Sequence, residues 1–432
     1  MNKLTRRDFI KLSGSLGAYS VWGGLVSSLS ACTSKEKPAA HVVIIGGGFG
    51  GATCAKYLHR FAPNVSITLI ERDKQFVTCP FSNMVLGGLR DMASITHDYK
   101  KLASNYAINI VHDAVVAIDP VAKTVTTGGG SIQYDRLVVS PGIDFMWDAV
   151  EGYNEVASKT VPHAWKAGSQ TLLLRQQLMA MNDGGTVIIA PPKNPFRCPP
   201  GPYERVSMMA HYLKHHKPKS KILILDAKDK FSKQSLFMQG WDAVYPGMIE
   251  WVKGSSGGIV SRIDVKTNEL VNEVGDRFKG DVINLIPPQK AGALAHIAGL
   301  TDQTGWCPVN QRTFESKIHK DVHVIGDASM AGKMPKSGFA ANSQGKVCAA
   351  AIAASLGGYD MPDPSYVNTC YSLVAPDYGI SVAAVYKVTD KGIVKVEGSG
   401  GVSPMDADAT FRKQEAVYGA GWYASITSDA FS

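Results

Sequence analysis

The chain has 432 residues, too many for one compact core, and its 45% hydrophobic and 19% charged composition is that of a globular protein rather than a disordered one. Its formal charge of +8 is partly terminal: Lys3, Arg6, Arg7 and Lys11 against Asp8 carry +3, which leaves a mild +5 on the rest. No arginine-rich stripe interleaved with aromatics is present, so no nucleic acid is expected as a partner. The seven cysteines, at 32, 54, 79, 198, 307, 348 and 370, include no Cys-x-x-Cys pair, which argues against a zinc site. Nor is there a Cys-x-x-Cys-His, so no c-type haem is attached to this chain.

Residues 5–11, Thr-Arg-Arg-Asp-Phe-Ile-Lys, precede an uncharged, Gly- and Ser-rich apolar stretch from Leu12 to Leu29. Paired arginines before such a stretch read as a twin-arginine export signal over residues 1–31, with the periplasm as destination. That route carries folded proteins and suits one that must take up its cofactor before export. Leu29-Ser30-Ala31-Cys32 has the small-residue pattern that precedes a lipid-modified cysteine, so Cys32 is expected either to carry a lipid anchor or to lie beside a simple cleavage point. No later apolar run is long enough for a transmembrane helix.

His41 to Ile45 is an apolar, β-branched run and predicts a buried strand. Gly46, Gly48 and Gly51 follow in G-x-G-x-x-G spacing, Ala52 to Arg60 has helical character, and a second strand, Val65 to Ile70, ends at Glu71. Each part has a mechanical task. Gly46 makes the turn, Gly48 admits a pyrophosphate to the backbone, and Gly51 lets helix pack on strand. Glu71 is placed to bond ribose hydroxyls. A lone glycine motif is weak; with the strand before, the helix after and the acid beyond, it specifies a dinucleotide site.

The middle of the chain is informative by what it lacks. Gly185 to Ala190 predicts the first strand of a second Rossmann-like unit, yet the next residues are Pro191-Pro192-Lys193-Asn194-Pro195-Phe196-Arg197-Cys198-Pro199-Pro200-Gly201-Pro202. Prolines offer no N–H groups, so this loop is a poor pyrophosphate cradle and NADH is not the expected electron donor. Lys214 to Lys221 reads as a solvated helix end and loop. Cys54 and Cys348 lie on small-residue helices and read as core residues, and Cys307 as structural. Spacing leaves the pairing of Cys79, Cys198, Cys307 and Cys370 open.

Asp321 to Ala328, a short strand ending in Gly326-Asp327, resembles the second flavin motif of two-dinucleotide-domain flavoproteins, and Asp135 to Gly142 resembles the strand leading out of their FAD domain. Lys336-Ser337-Gly338 then opens an alanine-rich helix, Ala340 to Leu356, whose positive end would face the flavin. The segments Thr78-Cys79-Pro80, Pro195 to Arg205, Gly305-Trp306-Cys307-Pro308, Met334 to Gly338 and Asn368-Thr369-Cys370-Tyr371 together resemble the flavoprotein subunit of flavocytochrome c sulfide dehydrogenase, a relative of the sulfide:quinone oxidoreductases. The resemblance runs from about residue 40 to near the C-terminus.

That resemblance implies an α/β fold. It has a discontinuous FAD domain (40–150 and 308–362), a second Rossmann-like three-layer domain without an NAD loop (151–307) and a small C-terminal α+β domain (363–432). It implies FAD attached covalently through Cys79, with Asp327 on the ribityl chain and Lys336 at the flavin. It implies a redox-active disulfide between Cys198 and Cys370, with Glu204 as proton acceptor and Trp422 near the flavin. Hydrosulfide would attack that disulfide, and the electrons would pass through FAD to a separate c-type cytochrome subunit docked on the C-terminal domain. A quinone as acceptor, with the protein held to the membrane through Cys32, is the alternative; a flavin-bearing redox module without turnover is the third.

Overall fold

The computed structural model describes residues 39–432; the twin-arginine segment and Cys32 lie outside the described residues. Strand β1 (His41–Ile45) has Val42 to Ile45 fully buried, as a run apolar on both faces should be between parallel neighbours. Helix α1 (Phe49–Phe61) follows at once. The turn between them needs glycine: Gly46 has φ +95°, and a Cβ there would lie 2.3 Å from the Ser140 carbonyl oxygen. Strand β2 (Ser66–Ile70) pairs with β1 from His41 opposite Ser66, and β3 (Asn109–Val111) and β4 (Arg136–Val139) complete the first part of this sheet.

The chain then builds a second unit from β5 (Thr186–Ala190), α2 (Gly201–His216), β6 (Lys221–Leu225), α3 (Gln234–Val244), β7 (Ile249–Val252) and β8 (Val282–Leu285). It returns to the first sheet with β9 (Val322–Val324), followed by α4 (Gly338–Gly357). The first sheet therefore runs β9-β4-β1-β2-β3 and the second β7-β6-β5-β8, both parallel throughout. Helix α4 starts two residues before the sequence expectation because Ser337 caps it, its hydroxyl accepting from the Ala340 N–H at 3.1 Å. Helices α1 and α4 touch closely enough that a Cβ on Gly345 would meet the Gly50 carbonyl at 2.6 Å. Cys54 and Cys348 are fully buried on these two helices, as expected of core residues.

The last segment is a three-stranded antiparallel sheet, β10 (Ser365–Ala375), β11 (Tyr378–Thr389) and β12 (Gly392–Lys395), followed by helix α5 (Ala409–Phe431). Helix α5 carries the C-terminus back to the first sheet. Lys56 donates to the carbonyls of Asp429 and Ser432 at 3.0 and 2.7 Å, satisfying acceptors that every helix end leaves open. Phe431 packs on Phe49 and Phe76 with centroids 5.7 and 5.5 Å apart. The architecture is mixed α/β: two parallel nucleotide-binding-type sheets and a small C-terminal α+β unit. One local expectation fails. Lys217, read as part of a solvated run, is buried, because its ammonium reaches back to the carbonyls of Met179 and Met181 at the end of the helix Ser169–Ala180.

Candidate active site

A cleft of about 900 Å³ runs from the glycine turn to the junction of the two parallel units. Gly46, Gly48 and Glu71 line one end; Cys79, Arg197, Asp327 and Gly338 line the other. Gly51 is behind it, and a Cβ there would sit 1.9 Å from the Gly46 carbonyl, so its role is the close helix–strand approach. Glu71 accepts from the N–H of Gly47 at 2.8 Å and from that of Asp73 at 3.1 Å, which fixes it beside the glycine turn. Asp327 is buried, and its Oδ1 has no partner among the described residues. Burial raises its pKa against the opposing charges of Arg197 and Lys336. A buried carboxylate oxygen without a partner, facing an elongated cleft that starts at a helix N-terminus, fits a polyhydroxylated, pyrophosphate-bearing ligand such as FAD.

Lys336 lies directly against Asp327. Its ammonium donates to the carbonyls of Asp327 (2.6 Å) and Ser329 (3.1 Å) and lies 3.7 Å from the Trp306 ring centroid, and it is not among the cleft-lining residues. Its geometry makes it a brace for the turn that carries Asp327; burial lowers its pKa to about 8. Cys307 is fully buried, its N–H bonded to the Ala328 carbonyl of the same turn. Trp422 stacks on Phe339 in the first turn of α4, centroids 6.1 Å apart, its indole N–H buried without a partner among the described residues.

Cys79 follows the strand Gln75–Val77 in a loop that α5 clamps. Thr78 Oγ1 is 2.8 Å from the Tyr423 hydroxyl, Ser82 donates to the Cys79 carbonyl at 2.6 Å, and Phe81, at φ 66°, stacks on Tyr423 at 4.5 Å. The Cys79 thiol faces the Trp165 carbonyl at 3.6 Å. Cys198 has φ 58°, a conformation that costs a non-glycine residue about 1 kcal/mol or more and concentrates at functional sites. It is held there by its N–H to the Lys336 carbonyl (2.7 Å) and by the Gly201 N–H to its own carbonyl (2.8 Å). Its Sγ therefore abuts the start of α2, where a Cβ on Gly201 would come within 3.0 Å of it. Cys370 lies on β10, two residues beyond Asn368, which accepts from the Ser337 hydroxyl at 2.6 Å.

Electrostatics join these groups. Burial pushes the Cys198 thiol well above its ordinary value, and charge on Cys370, Glu204 or Cys79 pushes it further, with Arg197 opposing. Cys370 is raised too, by burial first, with Lys233 pulling down and Glu204 up. Glu204, in the first turn of α2, has its carboxyl raised to about 7 by burial, opposed by Lys233, Asn83, the Leu373 N–H and Arg205. These mutual influences place Cys198, Cys370 and Glu204 near one another, and Cys79, which also acts on Cys198, lines the cleft. All six cysteines among the described residues are free thiols, so Cys198 and Cys370 stand here as two thiols.

Two organising residues escape sequence reasoning. Arg205 is buried, and its guanidinium donates to Asn83 Oδ1 (3.0 Å), Asn284 Oδ1 (2.9 Å), the His163 carbonyl (3.1 Å) and the Ala164 carbonyl (2.6 Å). It ties the Cys79 loop's helix (Ser82–Leu86), the crossover at 163–164 and strand β8 into one piece. Asp226, at the end of β6, occupies the position in the second unit that Glu71 holds in the first. It is fully buried and taken by the Tyr203 hydroxyl, the Trp251 indole N–H (3.0 Å) and the Lys228 ammonium (2.7 Å). With Lys228 also on the Pro192 carbonyl (2.9 Å), neither loop nor acid is free for a nucleotide ribose.

Three family models match the chain. The model described as sulfide dehydrogenase [flavocytochrome c] flavoprotein chain, central, matches residues 171–287, and flavocytochrome c sulphide dehydrogenase, flavin-binding, matches 362–431. Pyridine nucleotide-disulphide oxidoreductase matches 40–177. Among relatives, a mitochondrial sulfide:quinone oxidoreductase of Dictyostelium discoideum is 25% identical over 331 residues, 71% of this chain and 70% of the relative. The sulfide dehydrogenase [flavocytochrome c] flavoprotein chain of Chlorobaculum thiosulfatiphilum is 61% identical over 44 residues, 10% of this chain and 92% of that sequence. In fold, the sulfide:quinone oxidoreductase of Aquifex aeolicus superposes with a TM-score of 0.68 at 18% identity, covering 90% of this chain and 92% of that one.

Proposed function

The chain belongs to the family of FAD disulphide oxidoreductases that includes flavocytochrome c sulfide dehydrogenase flavoprotein chains and sulfide:quinone oxidoreductases, and from that premise we propose that it oxidises hydrosulfide and hands the electrons to a c-type cytochrome. The observation that carries the reading is the mutual influence of Cys198, Cys370, Glu204 and Cys79, the last of which lines the cleft, together with a second unit whose nucleotide loop is proline and whose ribose acid is internally bonded.

In this reading Cys198 and Cys370 cycle between dithiol and disulfide. Hydrosulfide attacks one sulfur of the disulfide, the S–S bond breaks, and a persulfide forms on one cysteine while the other leaves as thiolate. The sulfide sulfur loses two electrons and the disulfide gains them. A second hydrosulfide releases the sulfur as hydrodisulfide or a longer chain. Glu204, with a carboxyl that titrates at about 7, takes the proton from the attacking hydrosulfide or the persulfide at neutral pH. Arg205 holds the Cys79 helix against β8, and Arg197 lies across the cleft from Asp327 at 3.9 Å. FAD, when bound, accepts the electron pair the dithiol gives up and can release electrons singly, which a haem requires. Cys79, lining the cleft on a loop clamped by Tyr423, is the proposed covalent attachment point.

The acceptor has two candidates. The 331-residue match to a sulfide:quinone oxidoreductase favours a quinone as the second reading. No helix among the described residues is long and apolar enough to cross a membrane. Export by the twin-arginine route to the periplasm, and a lipid at Cys32, are part of the proposal and rest on the N-terminal residues alone. The purified protein, given sulfide and either cytochrome c or a short-chain quinone, decides: turnover with cytochrome and not with quinone supports the first reading, and the reverse replaces it.

A further inference from the structure

Lys233, at the residue before α3, is a buried lysine in an unusual setting. Its ammonium donates to Ser372 Oγ at 2.7 Å and approaches the Ile380 carbonyl at 3.5 Å. Among the described residues no carboxylate lies within ion-pair distance of it. A buried ammonium with only neutral partners is costly unless a nearby group supplies negative charge when it is needed. Ser372 is fully buried on β10 and two residues from Cys370, so the pleat puts both side chains on the same face of the strand. The groups that face Cys370 are therefore Lys233 before α3, Ser372 on its own strand, Glu204 on α2, and Cys198 in the loop before α2. Lys233 and Ser372 oppose the burial that raises Cys370, whereas Arg197 opposes it at Cys198.

Resting on the sulfide reading above, we propose that Lys233 is a positioning residue that makes Cys370 the leaving sulfur: hydrosulfide bonds to Cys198, the Cys198–Cys370 bond breaks, and its electron pair departs as the Cys370 thiolate, held through Ser372 by the Lys233 ammonium. The persulfide then resides on Cys198, at the start of α2 and beside Glu204, which receives its proton. No outside oxidant is consumed in this step, since the disulfide takes the two electrons. The cleavage is directed because the thiol that ionises more readily leaves faster.

The test needs no sulfide. The flavin-loaded protein is reduced with dithiothreitol, the reductant is removed without air, and iodoacetamide labelling of the Cys198 and Cys370 peptides is followed by mass spectrometry from pH 6 to 10. Cys370 should label at lower pH than Cys198. In Lys233→Met the Cys370 profile should move up by at least one unit, about tenfold slower labelling at a fixed pH below it, while Cys198 stays within a few tenths of a unit. Ser372→Ala, a smaller change that keeps the ammonium, should move Cys370 in the same direction by less. Unchanged Cys370 profiles in both variants, or equal shifts of both cysteines, would overturn the assignment. Because the readout is independent of turnover, a protein that ignores sulfide yet shows the selective shift would sink the proposed substrate and leave the role of Lys233 at Cys370 standing.

Discussion

Replacing Glu204 by glutamine should stabilise the folded protein in mildly alkaline solution while slowing its chemistry. Burial raises this carboxyl from 4.5 to about 7. Below pH 4.5 it is protonated in both folded and unfolded chains and costs nothing. Between 4.5 and 7 the unfolded chain loses its proton while the folded one keeps it, so the penalty grows with pH; above 7 it is constant. A shift of this size corresponds to roughly 3 kcal/mol at pH 8. Glutamine carries no charge and keeps the size, so Glu204→Gln should gain up to about 3 kcal/mol over the parent at pH 8 and almost nothing at pH 4.5. Urea unfolding at pH 4.5, 6 and 8, with flavin content matched, measures it. A gain equal at all three pH values, or none at pH 8, would refute the argument that this carboxyl is held in a strained, function-serving environment. Sulfide-dependent turnover in the same variant should fall by about 10²-fold or more, since general acid–base groups contribute that much.

Other perturbations follow from the same geometry. Gly51→Ala puts a methyl 1.9 Å from the Gly46 carbonyl, backbone against backbone, so it should cost about 3 kcal/mol or more and leave the purified protein depleted of flavin, read as the ratio of visible to ultraviolet absorbance. Tyr423→Phe removes the hydroxyl shared with Thr78 (2.8 Å) and His97 (3.1 Å) and should lower stability by about 1 kcal/mol, with a larger loss in flavin retention than in melting temperature because the Cys79 loop is what it clamps. Cys79→Ser should bind FAD that acid precipitation releases, whereas the parent should keep its flavin on the polypeptide; equal release from both would remove Cys79 as the attachment point.

The dinucleotide half of the site was readable from the chain because its parts are local. Strand, glycine turn and helix lie within about twenty residues, and the packing demands on Gly46 and Gly51 are set by their immediate neighbours. Gly326-Asp327 was readable for the same reason, although its orphaned oxygen required the fold. The contacts of Lys336 were not readable, because a lysine next to a motif can point either way. Here the carbonyls of Asp327 and Ser329 needed a donor more than the cleft needed a charge. Lys217 was misread similarly, its stem being long enough to turn a surface charge inward. Arg205, Lys233, Ser372 and Asp226 gave no signal at all. Arg205 draws its role from Asn284, 79 residues away, and Lys233 from Ser372, 139 residues away, separations that no spacing rule reaches. The cysteines are intermediate: their segments resemble a known arrangement, yet only the fold brings Cys370 on β10 to Cys198 before α2.

The central claim is that sulfide reduces the flavin through the Cys198–Cys370 pair, and an anaerobic titration of the purified, oxidised protein with sulfide tests it most directly. The account predicts bleaching of the flavin absorbance at near-stoichiometric sulfide, recovery on adding oxidised cytochrome c, and loss of bleaching in both Cys198→Ser and Cys370→Ser with FAD still bound. Flavin that stays oxidised under excess sulfide, or that bleaches equally well in the two serine variants, would contradict it.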